Sequence, residues 1–188
     1  MHRGATFALE ADDVRFPDGV ATREVVRHPG AVGVIAVDDD RVLMLQQYRH
    51  PVQAMLWEPP AGLLDVPGEA PLAAAKRELA EEAHYAAADW AVLVDAFTTP
   101  GMSDESIRIY LATKVQPLPG RRPAQAAEER ELPLRWVPFD EALAAVLGGR
   151  LHNPMAVMGV LAWAALRADP GHLRPADSEW RFAPKNAG

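Results

Sequence analysis

Short apolar runs separated by polar turns fill the first third of the chain, and this pattern predicts strands ahead of the first helix. We expect strands over residues 24–28 and 31–37, a turn at 38–40, and a third strand over 41–49. Residues 55–58 form a further short strand, because Pro59 and Pro60 cannot donate to a sheet ladder. Several strands before any helix favour a mixed α/β fold over a helical bundle.

Residues 71–83 carry the clearest helical pattern in the chain. Pro71 suits the first turn of a helix, where a missing N–H group costs nothing, and strong helix formers fill the remaining positions. At about 100° per residue, one face is apolar and the other is acidic. The apolar face carries Leu72, Ala75, Leu79 and Ala83, and the acidic face carries Glu78, Glu81 and Glu82 with Arg77 beside them.

The rest of the chain continues the alternation of strands and helices. Strands are predicted over 91–96, 106–113 and 132–137, and helices over about 140–147 and 153–167. Residues 116–127, rich in Pro, Gly, Arg and Ala, indicate a long surface loop, and 168–188 an irregular tail. With 188 residues and no repeat or interdomain linker, the chain fits a single domain.

Composition narrows the chemistry that is available. The absence of cysteine excludes disulfide scaffolds, thiolate nucleophiles and cysteine-held metals, so that a hard cation such as Mg²⁺ becomes the default metal. The net charge of −7 argues against broad binding to nucleic acid or anionic membranes. No apolar run approaches the roughly 20 residues of a membrane span, and no signal-peptide pattern opens the chain, which makes the cytoplasm the simplest compartment.

The acidic helix face has two interpretations. Glutamates at positions i, i+3 and i+4 repel one another, so some positive charge should compensate them. The first interpretation is a solvated helix surface on which Arg77 pairs with Glu81. The second is a site for one or more hard cations, which take oxygen ligands and would remove the repulsion.

The loop before this helix favours the second interpretation, because loop and helix together resemble the Nudix box. Glu69, seven residues, and then residues 77–82 fit the box. Six residues separate Gly62 from Glu69 where the common form has five, and His84 and Tyr85 replace the closing glycine and the aliphatic residue. A residue just past a helix often takes a left-handed conformation, which costs histidine more than glycine. The departures affect the loop and the cap and leave every carboxylate of the box in place.

The resemblance extends over roughly residues 24–165 and points to the ADP-ribose pyrophosphatase branch of Nudix hydrolases. It implies an α/β/α sandwich around a mixed β-sheet. It also implies an N-terminal β segment over about residues 1–28 that helps to build a homodimer, a core over about 29–167, and a tail over 168–188. The stretches that carry it are Gln46-Gln47-Tyr48-Arg49-His50-Pro51, Leu56-Trp57-Glu58-Pro59-Pro60-Ala61-Gly62, Thr99-Pro100-Gly101-Met102-Ser103-Asp104-Glu105 and Glu128-Glu129-Arg130-Glu131.

The resemblance also assigns the metal chemistry. It implies that Glu78 and Glu82 ligate Mg²⁺, for which Mn²⁺ could substitute, while Glu81 and the Ala61 carbonyl complete the site. Arg77 would pair with Glu69 and hold the loop on the helix, a structural role that the box glycine, Gly62, shares. The general base of this branch comes from a later loop, where Glu128, Glu129 and Glu131 lie. Among these three we select Glu129.

The remaining assignments concern the substrate. Arg49 would contact the diphosphate, Glu58 would lie beside the metal cleft, and Ser103 and Glu105 would reach the terminal ribose hydroxyls. The expected reaction is Mg²⁺-dependent hydrolysis of ADP-ribose to AMP and ribose 5-phosphate. Three alternatives stay open: another nucleoside diphosphate sugar such as a GDP- or UDP-sugar, a nonhydrolytic nucleotide-binding module, and a carboxylate-bridged redox metal protein.

Overall fold

The computed structural model describes residues 1–120 and 133–184, which form two β-sheets and three α-helices. The helices are α1 (Pro71–Ala83), α2 (Phe139–Leu147) and α3 (Pro154–Leu166). The strands are β1 (His2–Arg3), β2 (Ala8–Phe16), β3 (Gly19–Arg27), β4 (Ala31–Asp38), β5 (Arg41–Arg49), β6 (Ala54–Glu58), β7 (Ala61–Leu63), β8 (Tyr85–Phe97), β9 (Ser106–Pro117), β10 (Leu134–Pro138) and β11 (Arg174–Pro175). Short 3₁₀ turns cover His50–Val52 and Pro170–His172.

The large sheet is mixed, as the sequence predicts. Its strands run in the order β10-β5-β4-β9-β8-β11, and β6 and β7 pair with β5 and β4 respectively. β4 and β9 are parallel, and the other recorded pairs of this sheet are antiparallel. The parallel central pair is buried on both faces, as parallel strands generally are.

Helices cover both faces of this sheet, which confirms the expected sandwich. Alternate residues of β4 point to opposite faces. Val34 and Ala36 pack into the cluster that contains α1, whereas Ile35 packs into the cluster that contains α2 and α3. Gly159 in α3 lies so close to Ile35 that a Cβ there would stand 2.5 Å from the isoleucine side chain. α1 therefore lies on one side of the sheet, and α2 and α3 lie on the other.

The N-terminal strands β1, β2 and β3 form a separate three-stranded sheet. β3 joins it to the rest of the molecule through backbone hydrogen bonds to the loop between β8 and β9. The Val26 N–H donates to the Met102 carbonyl at 2.8 Å, and the Asp104 N–H donates to the Val26 carbonyl at 3.2 Å. The position of this small sheet is thus tied to that of the loop over residues 99–105.

Several boundaries differ from the sequence-based prediction. β8 begins six residues earlier than predicted. Its alanine-rich start has no strong intrinsic preference for a strand, and its hydrogen bonds to β9 hold it in the sheet. The predicted loop after Pro60 begins as β7, the irregular tail contains β11, and the N-terminal hairpin extends well before residue 24. The helix over 71–83 has the predicted bounds, and the other two helices agree to within a residue.

The described helices are also short. None of the helices within residues 1–120 and 133–184 is long and apolar enough to cross a bilayer.

Candidate active site

Two carboxylates of α1 are held against the short strand β7. The backbone N–H of Ala61 donates to Glu82 Oε2 at 2.8 Å. Glu78 lies directly over Gly62, where an added Cβ would stand 1.9 Å from Glu78 Oε1. Both carboxylates are buried, at 9% and 6% residue exposure for Glu78 and Glu82. The glycine is therefore required because any side chain at this position would displace the Glu78 carboxylate.

Arg77 connects the helix to the loop before it. Its Nε and Nη2 atoms each donate to a Glu69 carboxylate oxygen at 2.9 Å, a bidentate pair. Its Nη1 atom donates to Glu78 at 2.6 Å and to Glu81 at 3.1 Å. Hydrogen bonding from Arg77 lowers the pKa of Glu69, and Glu69 raises the pKa of Arg77. The structure thus brings Arg77 and Glu69 together as the sequence predicts and adds contacts to Glu78 and Glu81.

The departures from the common box are accommodated locally. Within the longer loop, the Glu69 N–H donates to the Val66 carbonyl at 3.1 Å, and Gly68 takes a φ of 77°. His84 adopts the left-handed conformation expected after the helix, with φ 62° and ψ 39°. Its N–H donates to the Ala80 carbonyl at 3.0 Å, and its ring Nε2 lies 3.3 Å from the Gly120 carbonyl oxygen. Histidine therefore closes the helix where the box has glycine.

Arg49 and Glu58 form a second bidentate pair on neighbouring strands. Arg49 Nε lies 2.9 Å from Glu58 Oε1, and Arg49 Nη2 lies 2.6 Å from Glu58 Oε2. Glu58 is 1% exposed, whereas the Arg49 side chain is 44% exposed. Hydrogen bonding to Glu58 raises the pKa of Arg49, burial opposes this effect, and the nearby Glu82 carboxylate adds to it. The pair thus lies within electrostatic reach of the buried carboxylates of α1.

The loop over residues 99–105 is bonded mainly to its own neighbours. The Ser103 hydroxyl accepts from the Glu105 N–H at 3.0 Å. The Glu105 carboxylate accepts from the Thr98 hydroxyl and lies 3.6 Å from the Nδ1 atom of His28. Ser103 and Glu105 therefore lie side by side, each with a partner inside the protein. The expected base, Glu129, and its neighbours Glu128 and Glu131 lie outside the described residues.

The donor set of α1 and β7 suits a hard divalent cation. Arg77 pairs with Glu69, Glu78 and Glu81, and Glu82 follows Glu78 by about one helical turn. These five side chains carry a formal charge of −3, which a cation would balance. In the described ranges, no three carboxylate or imidazole side chains are already arranged to hold a metal ion. The anchored carboxylates Glu78 and Glu82 would be its ligands, with Glu81 and the Ala61 carbonyl as further oxygen donors.

Comparison with known proteins agrees with this site. A family model described as NUDIX domain matches residues 27–156, which include β7, the loop and α1. The chain belongs to the Nudix family. It is a hydrolase of that family, whose members generally use divalent metal ions. The carboxylates of α1 therefore lie within the matched family domain.

Individual members of the family also resemble this chain. The chain of this Nudix hydrolase is 48% identical to an ADP-ribose pyrophosphatase of Mycobacterium tuberculosis over 96% of its own length and 87% of the relative's. It is 37% identical to an ADP-ribose pyrophosphatase of Bacillus subtilis, covering 76% and 77% of the two chains. A solved ADP compounds hydrolase shares the Nudix fold, with a TM-score of 0.74 at 22% identity and coverage of 89% and 90%.

Two features of the Nudix site could not be predicted from the motif spacing alone. The contact of Glu78 with Gly62 depends on how closely α1 approaches β7, and a sequence pattern does not give that distance. The pairing of Arg49 with Glu58 depends on the register of β5 and β6, in which these residues are separated by nine positions in the chain. In this register Arg49 pairs with Ala54 beside the connection and Glu58 pairs with Leu45 at the far end, so the side-chain contact runs diagonally across the two strands and has no signal in the sequence.

Proposed function

We propose that this Nudix hydrolase catalyses Mg²⁺-dependent hydrolysis of ADP-ribose to AMP and ribose 5-phosphate. The observation that carries the proposal is the pair of buried carboxylates, Glu78 and Glu82, anchored on β7. The substrate is suggested by the name of the Mycobacterium tuberculosis relative, which matches nearly the whole chain.

The residues of the site would have different roles in diphosphate hydrolysis. Glu78, Glu82, Glu81 and the Ala61 carbonyl would hold Mg²⁺, with Mn²⁺ as a possible substitute. The bound ion would polarise phosphoryl oxygens and lower the pKa of water. The bidentate pair of Arg77 and Glu69 holds the loop against the helix.

Arg49 is proposed to bind the diphosphate. Its Nε and Nη2 atoms face Glu58, and its side chain is partly exposed, so that the remaining Nη1 edge can meet an anion. We propose that Glu58 acts on substrate through Arg49, since both of its oxygens already accept from that side chain. Ser103 and Glu105 would reach the terminal ribose only by exchanging one of their internal hydrogen bonds.

The general base is proposed to be Glu129. Water attack on phosphorus requires a group that removes a proton, and a positioned carboxylate can supply it. Glu78 and Glu82 of α1 would be engaged by the metal, which leaves the acidic group of Glu128, Glu129 and Glu131 to provide the base.

Assembly and location complete the proposal. We propose a homodimer in which the N-terminal sheet meets a second subunit, because β2 and β3 expose apolar side chains that a partner could cover. The exposed residues are Leu9, Phe16 and Val20. The cytoplasm is the compartment that we propose.

The proposal is tested by measuring AMP release from ADP-ribose beside ADP-glucose, GDP-mannose, UDP-glucose, NADH and diadenosine polyphosphates. We expect ADP-ribose to exceed the others at least tenfold in kcat/KM, about 1.4 kcal/mol in transition-state stabilisation. A higher kcat/KM for another diphosphate would show that ADP-ribose is not the preferred substrate, while the proposed metal-dependent hydrolysis would stand. Failure to cleave any of them would favour a nucleotide-binding module.

A further inference from the structure

The short strand β7 carries the backbone groups against which Glu78 and Glu82 are held, yet its own ladder is brief. It pairs with β4 over three residue pairs. Directly after the strand, the Leu64 N–H donates to the Gly30 carbonyl at 3.0 Å. Segments with few backbone hydrogen bonds open locally more readily than long strands, so each neighbouring contact matters for the position of β7. Gly30 is therefore part of the support of the proposed metal site.

Gly30 is itself held between two groups from distant parts of the chain. We call residues 174–184 the C-terminal strap. A Cβ added at Gly30 would stand 2.1 Å from the Pro184 ring of this strap and 3.0 Å from the Ser106 carbonyl oxygen at the start of β9. The φ of Gly30 is 82°, in the left-handed region that favours glycine. The Pro184 ring therefore lies directly against the glycine backbone, where no side chain intervenes.

A buried arginine attaches the middle of the strap to the large sheet. Arg108 of β9, which is 3% exposed, donates to the carbonyl oxygens of Ser178 at 2.8 Å and Glu179 at 3.1 Å. Its guanidinium lies 4.9 Å from the centre of the Trp180 ring. Asp95 of β8 accepts from the same arginine at 2.7 and 2.9 Å. Because a buried arginine is costly without its partners, these contacts fix the course of the strap.

The strap also packs on the same side of the sheet as the metal helix. At its start, β11 pairs with β8, and Arg174 donates to Asp95 at 2.8 Å. Ala176 and Trp180 pack against the buried cluster that contains the apolar face of α1. Leu64, at 2% exposure, belongs to this cluster as well. The strap, α1 and the residue that follows β7 are therefore parts of one packed layer.

We propose that the C-terminal strap positions the metal site and that Pro184 is the positioning residue through which it does so. The Pro184 ring fixes the backbone of Gly30, and the Gly30 carbonyl fixes the Leu64 N–H. β7 ends beside Leu64 and supplies the groups against which Glu78 and Glu82 are held. The inference rests on the proposed function for the metal. Without Pro184 on Gly30, β7 would shift more easily, and the two carboxylates would lose the orientation that a bound ion requires.

Pro184→Gly tests this role, with Ala183→Gly as its matched control. Both variants place a glycine in the strap, but only the first removes the ring that lies against Gly30. Binding of Mg²⁺ to each full-length protein is measured by calorimetry in the absence of substrate. Removing a group that orients metal ligands weakens binding about 10–100-fold, and Pro184 is further from the ion, so we expect a loss of about fivefold. Ala183→Gly should stay within about twofold of the wild type, because Ala183 is exposed.

A second measurement follows β7 directly and needs no metal. Hydrogen exchange of the Leu64 amide reports on its bond to the Gly30 carbonyl. We expect this amide to exchange about tenfold faster in Pro184→Gly than in Ala183→Gly, while amides in the centres of β4 and β9 exchange equally in both. Thermal melting shows that both variants are folded.

Three results would overturn the assignment. In the first, Pro184→Gly melts at a lower temperature but binds Mg²⁺ with wild-type affinity, which would make Pro184 a contributor to stability alone. In the second, Pro184→Gly and Ala183→Gly weaken Mg²⁺ binding equally, which would exclude a role for the ring. In the third, Mg²⁺ affinity falls in Pro184→Gly while the Leu64 amide keeps its wild-type exchange rate, which would exclude β7 as the connection.

The two proposals fail separately. If the wild type binds no Mg²⁺, the proposed metal chemistry is wrong, while faster exchange of the Leu64 amide in Pro184→Gly would still support the strap as the element that holds β7. If the wild type binds Mg²⁺ and hydrolyses ADP-ribose, and Pro184→Gly binds Mg²⁺ equally well, the positioning role alone is wrong.

Discussion

Glu78 and Glu82 owe their positions to backbone features of β7 rather than to other side chains alone. One carboxylate needs the missing side chain of Gly62, and the other needs the N–H group of Ala61. The sequence predicts which carboxylates gather on the helix face, since their spacing follows the helical period. It does not predict these two contacts, because they depend on the approach of two elements.

Glu58→Gln tests whether this buried carboxylate positions Arg49. Glutamine keeps the shape but removes the charge and one of the two acceptor atoms, so the guanidinium should lose its fixed orientation. We expect the KM for ADP-ribose to rise about tenfold with a smaller change in kcat, the signature of weakened substrate binding. Steady-state kinetics on the folded variant measures both.

Arg49→Lys provides the comparison for Glu58→Gln. Lysine keeps the positive charge but lacks the planar guanidinium with its paired N–H donors, so the KM for ADP-ribose should rise as well. A raised KM in Arg49→Lys beside an unchanged KM in Glu58→Gln would show that Arg49 works without its partner.

His84→Gly tests the cost of the left-handed residue that ends α1. A non-glycine residue pays about 1 kcal/mol in this conformation, and His84 recovers part of it through its contact with Gly120. We expect the glycine variant to raise the free energy of unfolding by about 0.5–1 kcal/mol. Urea denaturation measures the change.

His84→Ala is the control for this substitution, since it keeps the unfavourable φ and loses the ring. It should be less stable than the wild type. A glycine variant no more stable than the alanine variant would mean that the backbone conformation carries no cost here.

Among the elements, α1 was predictable to its terminal residues and β8 was not. Pro71, the strong helix formers and the two-faced pattern all specify α1 locally. The start of β8 is Tyr85 followed by three alanines, which carry no strong preference for a strand. Its pairing with β9 supplies the missing hydrogen bonds, and that partner lies more than 20 residues further along the chain.

Asp95→Asn tests the attachment of the C-terminal residues 174–184 to β8 and β9. Asp95 accepts from Arg108 at 2.7 and 2.9 Å and from Arg174 at 2.8 Å. The variant would leave the buried Arg108 without its counter-charge, so we expect a loss of about 3 kcal/mol in the free energy of unfolding at pH 7. Denaturant unfolding of both proteins measures the difference.

The pH dependence of that difference follows from the pKa of Asp95. Burial raises this pKa, but hydrogen bonds from Arg108 and Arg174 more than offset it, and the net pKa is lowered from the ordinary 3.8. A lowered pKa contributes stability above the unfolded value that is lost as the pH falls through the folded value. The gap between wild type and variant should therefore shrink below about pH 4. A gap that stays constant from pH 7 to pH 3 would contradict the ion-pair account.

For the whole molecule, the sequence predicts the sandwich and the acidic helix, whereas the packing of residues 174–184 against β8 and β9 comes only from the structure. Arg108 and Glu179 are 71 residues apart in the chain, and no local pattern joins them. Arg27 likewise bonds Glu10, Asp12 and Asp104, which come from two distant segments. Long-range pairs of this kind depend on the packing of the finished fold.

The central claim is that carboxylates of α1 hold the divalent ion with which this Nudix hydrolase cleaves ADP-ribose. The most direct test is AMP formation from ADP-ribose by the wild type and by Glu82→Gln, in EDTA and across a Mg²⁺ titration. The wild type should be inactive in EDTA and saturate with Mg²⁺, while Glu82→Gln should be folded, bind Mg²⁺ more weakly and lose turnover by about 10³-fold or more. Equal AMP formation in EDTA and Mg²⁺, or wild-type turnover by Glu82→Gln, would contradict the account.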